Sequence, residues 1–239
     1  AVASPVPGPA NGGAYSVSLT DVAGNTVELA CEGTIETDLV LPEIAAGTAV
    51  APDPTLFSDG DTVVLEFEAS EALSALPEVS IGTEVATVTQ AGDVYTATLA
   101  VSSSMGTGAR QVSVTLVDLA LNTTLDAGTF PILTFDFNAP TASCTVSPAG
   151  RPAGLEETIT VTANGSESLS AASITAPGLA FGAASISGTT ATFQALASPV
   201  PGPATGGAYS VSLTDDAGNI VDLACEGTIE TDLVLPEIA

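Results

Sequence analysis

Apolar and polar residues alternate with a period of two along much of the chain. The segment TVVLEFEA at 62–69 places Val63, Leu65 and Phe67 on one face of an extended backbone. Five further segments share this pattern: VYTATLAV at 94–101, QVSVTLVD at 111–118, ETITVTAN at 157–164, TATFQAL at 190–196 and AYSVSLTD at 208–215. A period of two is typical of half-buried β-strands, and no segment has convincing helical spacing. The pattern therefore predicts an all-β protein.

The chain repeats itself over a long distance. Residues 1–45 and 195–239 are identical at 40 of 45 positions, with an offset of 194 residues. The turn TDVAGN at 20–25 recurs as VDLALN at 117–122 and as TDDAGN at 214–219, so the motif returns every 97 residues. A fixed period of this kind indicates a repeat architecture. The long period therefore predicts two domains of about equal size.

These spacings set the expected domain boundaries. We predict the C-terminal part of one domain at 1–40, a whole domain at 41–138 and a second at 139–236, in which 195–234 is the copy of 1–40. Hydrophobic residues make up 45 % of the chain but aromatic residues only 4 %, so the core must consist mainly of Val, Leu, Ile and Ala. Short strands separated by Gly, Pro and Ser, in units of this length, predict seven-stranded antiparallel sandwiches.

One stretch carries a family resemblance. The segment SDGDTVVLEFEASEALSALPEVSIG at 58–82, followed by VYTATLAVS and VSVTLVDLALN, resembles the bacterial immunoglobulin-like repeats of very long surface proteins and adhesins. The resemblance covers residues 41–138 well and 139–236 more loosely, and the D-x-A-G-N turn is common among such repeats. It implies tandem immunoglobulin-like sandwiches in an extracellular or cell-surface array that serves as a stalk, fibre or adhesin.

The cysteines fit this plan. Cys144 and Cys225 lie near the start and the end of the second domain, on strands that are often neighbours in an immunoglobulin-like sandwich. We expect a disulfide between them, which would stabilise the domain by about 4 kcal/mol through loop closure. Cys31 is the copy of Cys225, and its partner would lie before the first residue, outside the chain. The alternative is three buried thiols in a reducing compartment, which the acidic, repetitive surface disfavours.

The charge is strongly unbalanced. The chain has 28 Asp and Glu residues against two Arg residues, no His and a formal net charge of -26. Nucleic-acid binding is not expected, because proteins neutralise phosphates with Lys and Arg. Binding to anionic lipid headgroups is disfavoured for the same reason. Since no run of 18 apolar residues occurs, no membrane insertion is expected either.

Several acidic residues in loops are candidate calcium ligands, because Ca²⁺ prefers hard oxygen ligands. The candidates are Asp59 and Asp61 in SDGD, Glu36, Asp38 and Glu43 near one domain junction, Glu230, Asp232 and Glu237 near the next, and Asp215 beside Asp216. None of them follows EF-hand spacing, and the alternative is that they form turns on a solvated face. No other cofactor is expected.

The D-x-A-G-N motifs have a structural explanation. Asp accepts hydrogen bonds from backbone amides ahead of it, and Gly and Asn tolerate positive φ. We assign turn formation to Asp21, Asn25, Asp118, Asn122 and Asn219. Leu121 replaces the glycine in the middle copy, which makes a purely local turn role looser there.

No catalytic constellation is apparent, so we do not expect an enzyme. A nucleophilic triad lacks its base, since the chain has no His, and the acidic residues lack the aromatic cleft of a glycoside hydrolase. The main hypothesis is a structural repeat of an extracellular fibre, stalk or surface filament. The alternative is an adhesin module that binds a glycan or another cell, with or without Ca²⁺.

Residues 1–40 allow two interpretations. Either the sequence is a window within a longer array, or these strands complete a domain of a neighbouring molecule and so produce head-to-tail polymers. The window explanation is favoured. Both interpretations make neighbouring copies of the same repeat the expected partners, in a homopolymer.

Overall fold

The computed structural model describes residues 10–32, 35–126, 128–197 and 207–234. Within these ranges strands dominate, and the single helical element is a 3-10 turn at Ser103–Met105. No described segment forms a helix with the length and apolar character needed to cross a membrane. The prediction of an all-β protein built from immunoglobulin-like sandwiches is confirmed.

The strands are short, and all six segments with the alternating pattern form strands. Up to residue 138 they are β1 (Ala10–Gly13), β2 (Ser16–Thr20), β3 (Thr26–Ala30), β4 (Ile35–Thr37), β5 (Leu56–Phe57), β6 (Thr62–Glu68), β7 (Glu78–Ile81), β8 (Glu84–Val85), β9 (Thr87–Ala91), β10 (Val94–Ala100), β11 (Gly108–Arg110), β12 (Val112–Val117), β13 (Thr123–Asp126) and β14 (Leu133–Phe135). After it they are β15 (Ala142–Ser147), β16 (Ala153–Gly154), β17 (Thr158–Gly165), β18 (Leu169–Thr175), β19 (Ser185–Ser187), β20 (Thr190–Leu196), β21 (Ser210–Asp215), β22 (Ile220–Ala224) and β23 (Thr231–Asp232).

By their internal contacts, the described residues form two compact units. The first contains the described parts of 1–55, 60–101 and 109–134, and the second contains those of 56–59, 102–108 and 135–239. The predicted boundaries at residues 40, 138 and 236 remain predictions, and residues 235 and 236 lie outside the described ranges.

The sandwich of the first unit has two main sheets. Their strand orders are β6-β10-β9 and β13-β12-β7-β8. Val63, Leu65 and Phe67 on β6 are fully buried, whereas the residues between them are exposed. This alternation is what a strand with one face on the core requires.

The second unit repeats this plan with a β15-β17-β20-β19 sheet and a β18-β21-β22 sheet. Its core joins both sheets: Ile159 and Val161 of β17 and Phe193 of β20 form one cluster with Val211 and Leu213 of β21. One pairing departs from the predicted antiparallel pattern, because β16 pairs with β23 in parallel.

The predicted disulfide between Cys144 and Cys225 is present. Cys144 lies on β15 and Cys225 directly follows β22, so the bond joins the two sheets of the second sandwich. The residues are 81 positions apart, and closing so long a loop restricts the unfolded chain. Cys31 has a free thiol.

One five-residue turn connects β2 to β3, β12 to β13 and β21 to β22. We call it the aspartate–asparagine turn; its three copies span 21–25, 118–122 and 215–219. In each copy the backbone amide of the Asp donates to the carbonyl oxygen of the Asn, at 2.9 to 3.1 Å. The fourth residue has a positive φ of 88° at Gly24 and 92° at Gly218.

Leu121 adopts this same conformation, with a φ of 69°. The turn is therefore retained in the middle copy, although the sequence suggested that it would be looser there. Left-handed backbone costs a residue with a Cβ about 1 to 2 kcal/mol, and the Leu121 side chain, which is 73 % exposed, recovers little by packing.

Replacing Leu121 by glycine should therefore stabilise the first unit. We expect Leu121→Gly to raise its free energy of unfolding by about 1 kcal/mol, measured by urea denaturation, because glycine adopts positive φ freely. Leu119→Gly is the matched control, since Leu119 is 72 % exposed and does not have a positive φ. This control should lose stability. Equal effects of the two substitutions would contradict the assignment of strain to Leu121.

Candidate functional site

The side chains of the three aspartate–asparagine turns share one polar arrangement. In every copy the Asn backbone amide donates to Oδ1 of the Asp at 2.8 Å. The Asn side-chain Nδ2 donates to the other carboxylate oxygen at 2.7 to 3.0 Å. Aspartate bonded in this way replaces part of a backbone turn, which explains why this residue pair begins and ends the motif.

Two of the three carboxylates are withdrawn from water. Asp118 is 0 % exposed and Asp215 is 1 % exposed, whereas the equivalent Asp21 is exposed. A buried carboxylate is costly unless it accepts hydrogen bonds, so the amide groups of Asn122 and Asn219 are needed where they lie. At Asp21 the same hydrogen bonds, chiefly that from the Asn25 side chain, lower the pKa of the carboxyl.

Asn122 and Asn219 also bind a preceding segment of the chain. Asn122 Nδ2 donates to the carbonyl oxygens of Asp38 and Val40, each at 3.1 Å. Asn219 Nδ2 donates to the carbonyl oxygen of Asp136, also at 3.1 Å. These contacts span more than 80 residues of sequence, so the turn fastens a distant segment. Within the described residues, the Nδ2 of Asn25 bonds only Asp21.

Each fastened segment brings a second carboxylate close to that of the turn, and a glutamate completes a group of three. Asp38, Glu71 and Asp118 form one group, which we call the first carboxylate trio. Asp136, Glu167 and Asp215 form the second carboxylate trio. In each trio one carboxylate oxygen per residue lies within 4.8 Å of the other two. The trios are equivalent, because each member of the first lies about one repeat before its counterpart in the second. The separations are 98 residues for Asp38 and Asp136, 96 for Glu71 and Glu167, and 97 for Asp118 and Asp215.

The glutamate of each trio has a raised pKa. At Glu71 burial is the main cause, followed by the negative charges of Asp38 and Asp118. At Glu167 the pKa is also raised by burial first, and then by Asp136, Asp215 and Asp216. Oε1 of Glu71 is buried and accepts no hydrogen bond within the described part of the chain. Each of these glutamates thus takes up a proton more readily than an ordinary glutamate does.

Chemically, three clustered carboxylates can either share a proton or bind a hard divalent cation. Ca²⁺ binds six to eight oxygen ligands at ~2.3 to 2.6 Å, and oxygens within 4.8 Å of one another are compatible with a common ion. Of the residues predicted from sequence as calcium ligands, Asp38 and Asp215 each belong to a trio. Asp59, Asp61 and Asp216 belong to no such group among the described residues. Asp59 instead accepts a hydrogen bond from the Ser103 amide at 2.6 Å.

Sequence reasoning did not find Glu71, Asp136 and Glu167. The signal was present, since each trio member recurs one domain length further along the chain. The glutamates lie in the segments SEALSAL at 70–76 and SESLSAA at 166–172, which share the pattern SExLSA.

A groove of about 440 Å³ lies elsewhere in the second unit, between residues 146–153 and 226–230. It contains Arg151, one of the two cationic side chains of the chain. Arg151 donates to Glu157 through both terminal nitrogens, and this pairing lowers the pKa of Glu157 to about 2. The positive charge of the groove is therefore already compensated.

Comparisons with known proteins give structural likeness only. No protein-family model and no curated protein matches the sequence. Similar solved structures include the fibronectin(III)-like modules of CbhA from Clostridium thermocellum, with 15 % identity, 80 % of this chain and 95 % of that chain covered and a TM-score of 0.38. The titin I-band fragment I67-I69 is 11 % identical over 81 % of this chain and 66 % of its own, with a TM-score of 0.45. The ICAM-5 D1-D4 ectodomain fragment is 18 % identical over 90 % of this chain and 55 % of its own, with a TM-score of 0.36.

The trios predict an unusual dependence of stability on pH. A glutamate with a raised folded pKa stabilises the fold below its ordinary value of 4.5, and this contribution is lost as the pH rises through the folded pKa. Glu71→Gln and Glu167→Gln should therefore raise the Tm at pH 7, and the gain should vanish near pH 3. Glu78→Gln, at an exposed position on β7, controls for the loss of one charge.

The same variants distinguish proton sharing from calcium binding. If the trios bind Ca²⁺, millimolar Ca²⁺ will raise the Tm of the unsubstituted chain and of Glu78→Gln. The same Ca²⁺ will raise the Tm of Glu71→Gln and of Glu167→Gln by a smaller amount. Thermal scans with Ca²⁺ and with EDTA measure this difference. A glutamine variant that is less stable than the parent at pH 7 without Ca²⁺ would contradict the repulsion described here.

Removing the fastening asparagine should loosen the segment that it holds. Asn122→Ala removes the donor to Asp38, Val40 and the buried Asp118, so we expect a loss of about 2 kcal/mol in the first unit. Amide hydrogen exchange at residues 38–45 should accelerate together with this loss. Asn25→Ala is the matched control, because it removes the same side chain from a turn that holds no distant segment among the residues described here. Equal effects of the two substitutions would show that the fastening contacts contribute nothing.

Proposed function

We propose that this chain is a structural module, a tandem of immunoglobulin-like repeats that forms part of an extracellular fibre, stalk or surface filament. The observation that carries the proposal is the duplication, which extends from sequence to hydrogen bonding. Residues 1–45 and 195–239 are identical at 40 positions, and the five residue pairs of β2 with β3 recur in β21 with β22. A filament requires many equivalent units, whereas a binding site requires only one good copy.

The repeated fastening contact supports a load-bearing role. An array under tension is strongest when each domain holds the chain segment that enters it. Asn122 and Asn219 make such contacts with segments that precede their domains in sequence, at Asp38, Val40 and Asp136. Because the contact recurs after 97 residues, it belongs to the repeat and not to one specialised copy.

The disulfide and the surface charge support a location outside the cell. Disulfides persist in oxidising environments, and Cys144 and Cys225 form one here. A net charge of -26 keeps neighbouring chains apart unless salt or divalent cations screen the repulsion, as ions do within ~8 Å at physiological ionic strength. We propose neighbouring copies of the same repeat as the partners.

Immunogold electron microscopy of intact cells of the source organism tests the proposal. Antibodies raised against this chain should label filaments or surface projections, and should label them repeatedly along their length. Antibody pre-adsorbed with the purified chain is the control. Gold confined to the cell interior would contradict the proposal.

A second measurement separates the structural role from adhesion. The purified chain is applied to a glycan array in Ca²⁺ and again in EDTA, and a structural module should give no specific signal under either condition. A reproducible glycan signal that Glu71→Gln and Glu167→Gln abolish would instead support the adhesin alternative.

A further inference from the structure

The β2–β3 hairpin presents an uncovered apolar face. Val17 and Leu19 on β2 are 43 % and 60 % exposed, and Val27 and Leu29 on β3 are 60 % and 61 % exposed. All the residues of both strands are exposed. Four large apolar side chains on one small hairpin form a surface of the kind that marks an interaction site.

The second unit shows what covers this face in the copy. Val211 and Leu213, the counterparts of Val17 and Leu19, are 1 % and 0 % exposed. They pack with Ile159, Val161 and Phe193, and Val221 and Leu223 of β22 pack against the same cluster. In addition, β18 pairs with the edge of β21 from Thr175 to Leu169. The cover is therefore the half-sandwich formed by strands β15 to β20.

The packing residues of the two hairpins are the same. Within the hairpins the copies differ only at Val22, Thr26 and Glu28, which correspond to Asp216, Ile220 and Asp222. These three counterparts are all exposed in the second unit. Every residue that would meet the half-sandwich is thus unchanged, so the β2–β3 hairpin retains full complementarity to it.

Cys31 is held as its bonded counterpart is held. Its backbone amide donates to the carbonyl oxygen of Tyr15 at 3.0 Å, and the amide of Cys225 donates to that of Tyr209 at the same distance. Cys225 is disulfide-bonded to Cys144 on β15, whereas Cys31 has a free thiol. The hairpin therefore carries both the apolar face and the cysteine of a complete sandwich.

We propose that the apolar face of the β2–β3 hairpin is a docking surface for a polypeptide segment equivalent to residues 139–194, and that Cys31 forms a disulfide with the cysteine of that segment. In this step the two thiols lose two hydrogen atoms to a low-molecular-weight disulfide such as oxidised glutathione, which is reduced to two thiols. The inference depends on the duplication and not on the fibre proposal, so either can fail without the other.

The test places a copy of residues 139–194 directly before Ala1 of the full chain. Since residue 195 follows residue 194 and corresponds to residue 1, the join reproduces the native connection. After treatment with oxidised glutathione and removal of mixed disulfides, the parent chain should have one reactive thiol in denaturant and the extended chain none. Amide exchange in β2 and β3 should slow by at least about a hundredfold, towards the rates of β21 and β22 in the same molecule.

Two further chains control the experiment. A copy of residues 41–96 in the same position adds equal length without the matching core or cysteine, and should leave the thiol reactive and the exchange fast. The 139–194 extension with its cysteine replaced by serine should leave one thiol but still slow the exchange. A reactive thiol with unchanged exchange in the native extension would overturn the proposal. Protection in the parent chain through a dimer would also overturn it, since a second copy would then cover the face.

Discussion

Two buried carboxylates organise this molecule. Asp118 and Asp215 can remain out of water only because an asparagine four residues later offers both its backbone and its side-chain amide. That requirement fixes the turn between two core strands. It also places the asparagine where the rest of its side-chain amide reaches a distant carbonyl group. The geometry of one connection thus determines how a remote segment is held.

The carboxylate trios follow from the same constraint. Once the preceding segment is fastened, the carboxylates of Asp38 and Asp136 come close to the buried aspartates, and a glutamate completes each group. Such an arrangement is costly in a chain of net charge -26, because like charges that are partly withdrawn from water repel strongly. Its presence in both units indicates that it belongs to the repeat.

The fold was largely predictable from the sequence, because a period of two is a local pattern and a repeat of 97 residues is found by comparing the sequence with itself. The alternation of Val63, Leu65 and Phe67 identifies a core-facing strand directly, and the spacing of Cys144 and Cys225 agreed with the disulfide. The trios were not predictable in the same way. Glu71 and Asp118 meet through the pairing of distant strands, and no local pattern specifies such a meeting. The positive φ of Leu121 was missed as well, because the hydrogen bonds of Asp118 and Asn122 outweigh the preference of leucine.

The single disulfide gives the chain an uneven mechanical character. The second unit cannot release the stretch from Cys144 to Cys225, whose ends are 81 positions apart, while the bond is intact; this withholds about 28 nm of extended polypeptide. The described part of the first unit contains no such bond and can unravel completely. A pull on the two ends would therefore lengthen one sandwich and leave most of the other closed, so that extensibility and a limit to extension are built into adjacent stretches of one polypeptide.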